Sequence, residues 1–192
     1  MLIACLGWGS LVWDPRDLPV QGNWFCDGPF LPIEFARQSM NGRITLVIVP
    51  NTFPLVRSLW RPMSVSNLKE ARKALGQREC EHHERPDSCV DYWPRGSKNN
   101  YVARRVGKWA RGLQIDAVVW TNLMPKFNDQ HKKLPTEQEV VTYLRTLQGT
   151  SREKAEAYVR NAPRQIDTPY RRALETHLGW SCSSPVCEAK VS

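Results

Sequence analysis

The chain has 192 residues, 41% of them hydrophobic, and a formal net charge of +8, enough apolar material for one packed domain of ordinary size. No stretch reaches the ~18 consecutive apolar residues that a membrane helix requires, and the first residues lack the basic and apolar regions of a secretory signal, so neither a membrane protein nor a cleaved leader is expected. The six cysteines, at 5, 26, 80, 89, 182 and 187, fall at irregular spacings; they are expected to be free thiols of a cytoplasmic protein rather than a disulfide framework.

In chain order, Leu2–Leu6 is a short apolar run and predicts a buried strand; the next residues, Gly7-Trp8-Gly9-Ser10, are a turn, and a second apolar triplet, Leu11–Trp13, stops at Asp14-Pro15. Leu31, Ile33 and Phe35 alternate with Pro32 and Glu34, which predicts a strand with one apolar face. Asn41-Gly42 is a turn signal followed by the β-branched run Ile44–Val49. Leu55–Trp60, Tyr101–Val106 and Ile115–Trp120 are the remaining strand predictions. One helix interrupts them, capped by Ser66 or by Asn67, which with Glu70 three residues on resembles a capping box, and running to about Glu79. Residues 84–100, rich in proline, glycine and asparagine, read as a loop.

After Pro125 the pattern becomes helical. Thr136 with Glu139 opens a helix whose stripe is Val140, Leu144 and Leu147 and which Gly149 closes. Ser151 opens another, carrying Ala155, Tyr158, Val159 and Ala162 up to Pro163. Thr168-Pro169 is a cap followed by proline at the first helical position, and that helix ends near Gly179. Residues 181–192 read as a frayed tail.

Two features carry chemistry. A turn with glycines leaving a strand end presents successive backbone N–H groups, and such nests hold carboxylates and oxyanions. Gly7, Trp8, Gly9 and Ser10 are therefore either a small-anion cradle or a bare tight turn. The loop has neither the third glycine of a dinucleotide fingerprint nor the Gly-Lys-Ser/Thr of a phosphate loop. The second feature is Glu79. It continues the apolar face of Leu68, Ala71 and Leu75 and sits at a helix C-terminus, where burial and the dipole both disfavour a negative charge. Such a carboxylate is a general base, or the ion-pair partner of Arg78 or Arg72, or stands where the helix has already frayed; Glu34 is the next candidate carboxylate.

Other clusters have plainer readings. Arg95, Lys98, Arg104, Arg105, Lys108 and Arg111, interleaved with Tyr101 and Trp109, are read as a solvated strand-and-loop face rather than a nucleic-acid footprint, since no nucleic-acid-binding motif accompanies them. Cys80, His82, His83 and Cys89 lack zinc-site spacing, and no metal or other cofactor is expected. Trp8, Trp13 and Trp24 make either an aromatic pocket or ordinary core; Arg171 and Arg172 either reach back to a substrate carboxylate or lie on the surface.

"GWGSLVW" at 7–13 resembles the Gly-Tyr-Gly-Ser-Leu signature of the gamma-glutamylcyclotransferase-like superfamily, and most of all its glutathione-degrading branch, where a tryptophan also follows shortly after. "GRITLV" at 42–47 resembles that branch's Gly-Arg-x-x-Thr-Leu-Val strand, and "LKEARKALGQRE" at 68–79 is similar to its helix ending in Arg-Glu. The motifs agree in order over about residues 1–80. Trp8 stands where the family has tyrosine, and Cys80-Glu81-His82-His83 stands where it has a Gly-Gly-Tyr or similar.

The resemblance implies a small mixed β-barrel with flanking helices, here over 1–125 of an α+β fold; the helices over 126–180 have no counterpart in that pattern, are expected from their own apolar stripes to pack as an extension on the same domain, and are followed by a tail over 181–192. It implies that backbone N–H groups of Trp8, Gly9, Ser10 and Leu11 hold a γ-glutamyl moiety and that Glu79 is the base for its cyclisation to 5-oxoproline, a lyase-type acyl transfer releasing a free amine. A non-catalytic anion-binding module on the same fold is the alternative, and a nucleic-acid-binding protein, resting on charge alone, the third reading. The amine portion of the substrate and the oligomeric state are left open.

Overall fold

Strand β1 (Ile3–Gly7) is buried along its whole length, which explains why it reads as an uninterrupted apolar run rather than an alternating one. In the computed structural model, which describes residues 1–80, 86–94 and 100–183, β1 lies inside a four-stranded sheet. It pairs antiparallel with β6 (Leu59–Pro62) and parallel with β8 (Ala117–Thr121), and β7 (Val90–Trp93) runs antiparallel on the far side of β8. Ile3 and Cys5 face α1 (Leu68–Glu79), packing with Ala71 and Leu75, while Ala4 and Leu6 enter the larger core on the opposite face. Of the two candidate caps, Asn67 rather than Ser66 opens helix α1, its side chain accepting from the Glu70 amide at 3.0 Å.

A second sheet is built on the hairpin of β3 (Ile33–Gln38) and β4 (Ile44–Ile48), extended by the short strands β9 (Lys126–Phe127) and β10 (Gln130–His131). Ile33 and Phe35 face the core with Ile44, Leu46 and Ile48. Between Phe35 and Arg37 the register shifts. Strict alternation would put Arg37 on the core face with Phe35; the bulge instead sets it opposite Thr45, on the other side of the sheet.

No barrel forms. The run expected as one strand, Leu55–Trp60, breaks at Ser58, whose amide and hydroxyl both donate to the Pro29 carbonyl. Strand β5 (Val56–Arg57) pairs with β2 (Phe30–Leu31) as a separate two-stranded ladder, and β6 pairs with β1. Because the chain changes partner at Ser58, the three sheets described stay open, and the expected small mixed β-barrel is corrected to a mixed α+β arrangement of open sheets and helices.

Tyr101–Val106, expected as a strand, opens α2 (Tyr101–Gly112). The Asn100 side chain accepts from the Val102 and Ala103 amides, and Val102, Ala103, Val106, Gly107 and Ala110 form a buried helical stripe. The valines suggested a strand, but cap and period together decide for a helix. Arg104, Lys108 and Arg111 belong to this helix rather than to a strand and loop, and Arg104 and Lys108 lie on its exposed face; Arg95 and Lys98 lie outside the described residues. The stretch expected as a loop contains a 3-10 turn (Pro86–Cys89) and β7.

Helices α3 (Glu137–Thr146), α4 (Gly149–Asn161) and α5 (Pro169–Leu178) follow. Thr136 and Glu139 form a reciprocal capping box, Thr168 caps α5 ahead of Pro169, and Gly179 ends it in the left-handed region at φ 70°. Gly149 opens α4 rather than closing α3, which ends at Thr146. Val140, Leu144, Tyr158 and Val159 share one core with Ile33, Phe35 and Leu46. Among the described residues no helix is long and apolar enough to cross a membrane.

Glu34, 1% exposed, ties this helical half to β3. It accepts from the Phe35 amide, the Thr168 hydroxyl and the Tyr170 amide at the start of α5, where the helix dipole favours a carboxylate. Burial nevertheless raises its pKa to about 7, against the lowering effect of those hydrogen bonds. The folded protein therefore holds this proton more tightly than the unfolded chain, so the contribution is fully present below the unfolded pKa near 4.5 and is lost as pH rises through about 7. The melting temperature of the wild type should fall over that window relative to Glu34→Gln, which cannot titrate; parallel curves for the two proteins would remove Glu34 as the cause.

We propose that the helices after Pro125 belong to the same folding unit as the sheets. Deleting 126–192 strips Phe35 and Leu46 of partners in the shared core and should yield an insoluble or non-cooperatively melting fragment; a sharp thermal transition for residues 1–125 would separate the two units.

Candidate active site

Strand β1 delivers the chain at Gly7 into the turn of Trp8–Trp13. The turn closes on itself, with the Val12 amide donating to the Gly9 carbonyl at 2.9 Å and the Asp14 amide to the Ser10 carbonyl at 2.8 Å. The amides of Trp8, Gly9 and Leu11 donate to no carbonyl among the described residues. The two glycines are explained by contact rather than by turn conformation. A Cβ on Gly7 would meet the Trp24 ring at 2.7 Å, and one on Gly9 would collide with the Tyr158 hydroxyl. Trp8 between them is buried and donates its indole N–H to the Leu46 carbonyl at 3.3 Å; it is a wall that joins the loop to β4.

Glu79, the last residue of α1, continues the face of Ala71 and Leu75 and lines the same cavity as Gly7, Trp8, Gly9, Ser10 and Leu11. That cavity, about 620 Å³, is in the usual size range of small-molecule sites. Arg78 holds the two parts together. Its guanidinium donates to Glu79 Oε1 at 3.2 Å, to Ser10 Oγ at 3.4 Å and to the Asp14 carbonyl at 2.6 Å, and its side chain is only 8% exposed. Glu79 thus lines the cavity and pairs with Arg78 rather than Arg72. Burial raises its pKa above the ordinary carboxylate range, opposed by the Arg78 and then the Arg16 charge.

Three further residues of the walls bring polar groups to the cavity. Tyr158 comes from α4; its hydroxyl oxygen accepts from the Leu46 amide at 3.2 Å, with the Ser10 amide acting on the same oxygen. Burial raises its pKa to about 12, so it is a neutral phenol whose own proton remains available to donate. Arg43 and Arg37 also line the cavity. Arg43 stacks over the Tyr158 ring at 5.7 Å, and its Nε is buried without a hydrogen-bond partner. Arg37 is held by the Met124 carbonyl at 2.7 Å, and burial lowers its pKa. No carboxylate pairs with either guanidinium among the described residues.

Sequence patterns missed these three for different reasons. Tyr158 sits in a helical apolar stripe and so reads as core, and Arg37 reaches the cavity only through the β3 bulge. Arg43 lies inside the "GRITLV" stretch, where its position after a turn was the available signal.

Other candidates lie elsewhere. Glu34 is not in the cavity wall. Arg171 is buried, with its guanidinium on the Ala162 carbonyl and over the Phe35 ring, and Arg172 pairs at the surface with Asp167; neither reaches the cavity. Of the tryptophans, Trp8 and Trp13 line it, and Trp24 packs behind Gly7. Cys80 and Cys89 are joined as a disulfide, with Cα atoms 6.5 Å apart, and Cys26 is also disulfide-bonded. This corrects the expectation of free thiols at Cys26, Cys80 and Cys89, while Cys5 is a free thiol; the cysteine spacing no longer points to a reducing compartment. His82 and His83 lie outside the described residues.

No family model matches the chain, and no curated protein matches it. Among solved structures it is similar to a glutathione-specific gamma-glutamyl cyclotransferase from yeast. The identity is 15%, over 93% of this chain and 98% of that chain, with a TM-score of 0.47.

The packing of Gly9 on Tyr158 yields a double-mutant test. Gly9→Ala should destabilise the protein by about 1–3 kcal/mol through overpacking. Combined with Tyr158→Phe, which removes the obstructing oxygen, it should cost less than the sum of the two single changes, a coupling of roughly 0.5–3 kcal/mol. Additive changes in denaturant midpoints would show that the loop does not rest on that hydroxyl.

Proposed function

We propose that this protein is a gamma-glutamylcyclotransferase-like enzyme that cleaves a γ-glutamyl amide by intramolecular cyclisation. The observation that supports it most is the convergence of Glu79 and the Gly7–Leu11 loop on one cavity, joined through Arg78, although 68 residues separate Arg78 from Ser10. In this reading the amides of Trp8, Gly9 and Leu11 and the Ser10 hydroxyl hold the γ-glutamyl group. Glu79 takes a proton from the substrate's α-ammonium group. The freed amine attacks its own γ-carbonyl carbon, and the oxyanion that forms is stabilised by the loop amides and the Tyr158 hydroxyl. The C–N bond to the leaving amine then breaks as Glu79 returns the proton to that nitrogen, and the second proton of the attacking nitrogen passes through the same carboxylate to the released amine, which leaves as an ammonium ion. The products are 5-oxoproline and a free amine, and no water, metal or other cofactor enters the balance. Because a five-membered closure is already intramolecular, the protein has mainly to supply orientation, a base and charge stabilisation. Arg37 and Arg43, without carboxylate partners among the described residues, favour a leaving portion that carries negative charge.

The Arg78–Glu79 pair supports a second reading, a non-catalytic anion-binding module in which Glu79 only anchors Arg78. Glu79→Gln separates the two. If Glu79 is the base, release of 5-oxoproline from a panel of γ-glutamyl compounds should fall by roughly 10²-fold or more, while calorimetry still detects binding to the loop. In the wild type the rate should be lost as pH falls through a pKa above the ordinary carboxylate range, because burial holds the proton on Glu79. Activity near wild type together with a lower melting temperature would leave Glu79 a structural partner of Arg78.

A further inference from the structure

Glu79 is held in an adverse position. It ends a helix, where the dipole repels a carboxylate, and it lies in a cavity wall rather than in water. Helix ends fray, and a frayed last turn would let the side chain out. The residue that follows is Cys80, the C-cap of α1, whose amide donates to the Gly76 carbonyl at 2.8 Å. Its sulfur is bonded to that of Cys89. Cys89 does not belong to the helix. It ends the 3-10 turn ahead of β7, its carbonyl accepts from the Asn122 amide at 2.7 Å, and the next residue, Val90, pairs with Thr121 of β8. The bridge therefore ties the end that carries Glu79 to the four-stranded sheet. Cys80 also lines the cavity, so a small reagent that enters the site meets this disulfide.

We propose that the Cys80–Cys89 disulfide is a redox-controlled brace for Glu79: oxidised, it keeps the carboxylate in the cavity; opened by a low-molecular-weight thiol, it releases the helix end and turnover falls. The thiolate attacks Cys80 Sγ, forms a mixed disulfide and expels Cys89 as thiolate, which takes up a proton. A second thiol then attacks the mixed disulfide, releasing Cys80 as a thiol and leaving the two external sulfurs joined. The protein gains two electrons and two protons, and two external thiols become one disulfide. Cys89 is thus a positioning residue acting through Glu79, and the inference rests on the assignment of Glu79 as the base.

The test uses the full-length protein, oxidised and after dithiothreitol, with thiol titration to establish each state. Reduction should lower the rate of 5-oxoproline release roughly tenfold or more, the scale of a small misplacement of a catalytic group, and reoxidation should restore it. Because dithiothreitol also reaches the disulfide at Cys26, Cys89→Ser isolates this bridge; that variant should show the low rate with or without reductant. The pH profile gives a readout that a general loss of stability would not. Glu79 is faced by Arg78 of its own helix, by Asp14 and Arg16 of the loop, by Cys5 of β1 and by Tyr158 of α4. Once the carboxylate is hydrated, the acid limb should move to lower pH.

Amide exchange in the last turn of α1, residues 76–80, should quicken on reduction by roughly tenfold or more. Unchanged exchange, or a Cys89→Ser variant that turns over like the oxidised wild type, overturns the brace. If neither redox form releases 5-oxoproline, the enzymatic reading fails by itself, and exchange in that turn still decides whether the bridge holds Glu79.

Discussion

One guanidinium sets the geometry of the site. Arg78 is nearly buried and meets a carboxylate, a hydroxyl and a carbonyl that belong to two distant parts of the chain. A buried cation requires partners on most of its N–H groups, and here those partners are Glu79 on one side and Ser10 with Asp14 on the other. Satisfying the one charge therefore fixes the distance between the end of α1 and the loop after β1. Arg78 also lowers the pKa of Glu79 that burial raises, so the same contact that places the carboxylate limits how far its basicity departs from the ordinary.

The loop has a second support from below. Gly9 rests against the Tyr158 hydroxyl, Gly7 against the Trp24 ring, and Trp8 is fastened to β4 through its indole N–H. The tyrosine is supplied by α4, so the helical half takes part in the cavity as well as covering the sheets. That half is anchored in turn by Glu34, buried beneath the cap of α5. Two carboxylates thus carry raised pKa values for the same reason, burial, but in different places: one under a helix N-terminus with its oxygens bonded to protein, the other in a cavity wall at a helix C-terminus.

Backbone irregularities distribute the cations. The β3 bulge turns Arg37 off the core face toward the cavity, and the hairpin turn at Asn41-Gly42 brings Arg43 over Tyr158. The change of partner at Ser58 does the complementary work in the framework. It gives β5 to one ladder and β6 to another, leaving the sheets open where a continuous strand would have favoured closure.

Local chemistry was legible wherever it acts within a few residues. The caps at Asn67, Thr136 and Thr168, the left-handed Gly179, the apolar run of β1 and the phase of Glu79 on α1 were all readable, because each depends on neighbours one turn or one strand away. The helix at Tyr101–Gly112 was present in the same signals, in Asn100 and the spacing of its small and apolar residues, and was obscured by its valines. What the residues in order could not decide was partnership at a distance. Nothing near Gly9 announces the hydroxyl of Tyr158, and nothing near Cys80 selects Cys89. Nothing within Leu55–Trp60 divides it between two sheets, and no local pattern reveals that a bulge will turn Arg37 outward. These outcomes depend on which surfaces meet once the chain is compact, where steric exclusion and the need to pair buried polar groups choose among arrangements that are equivalent in local propensity.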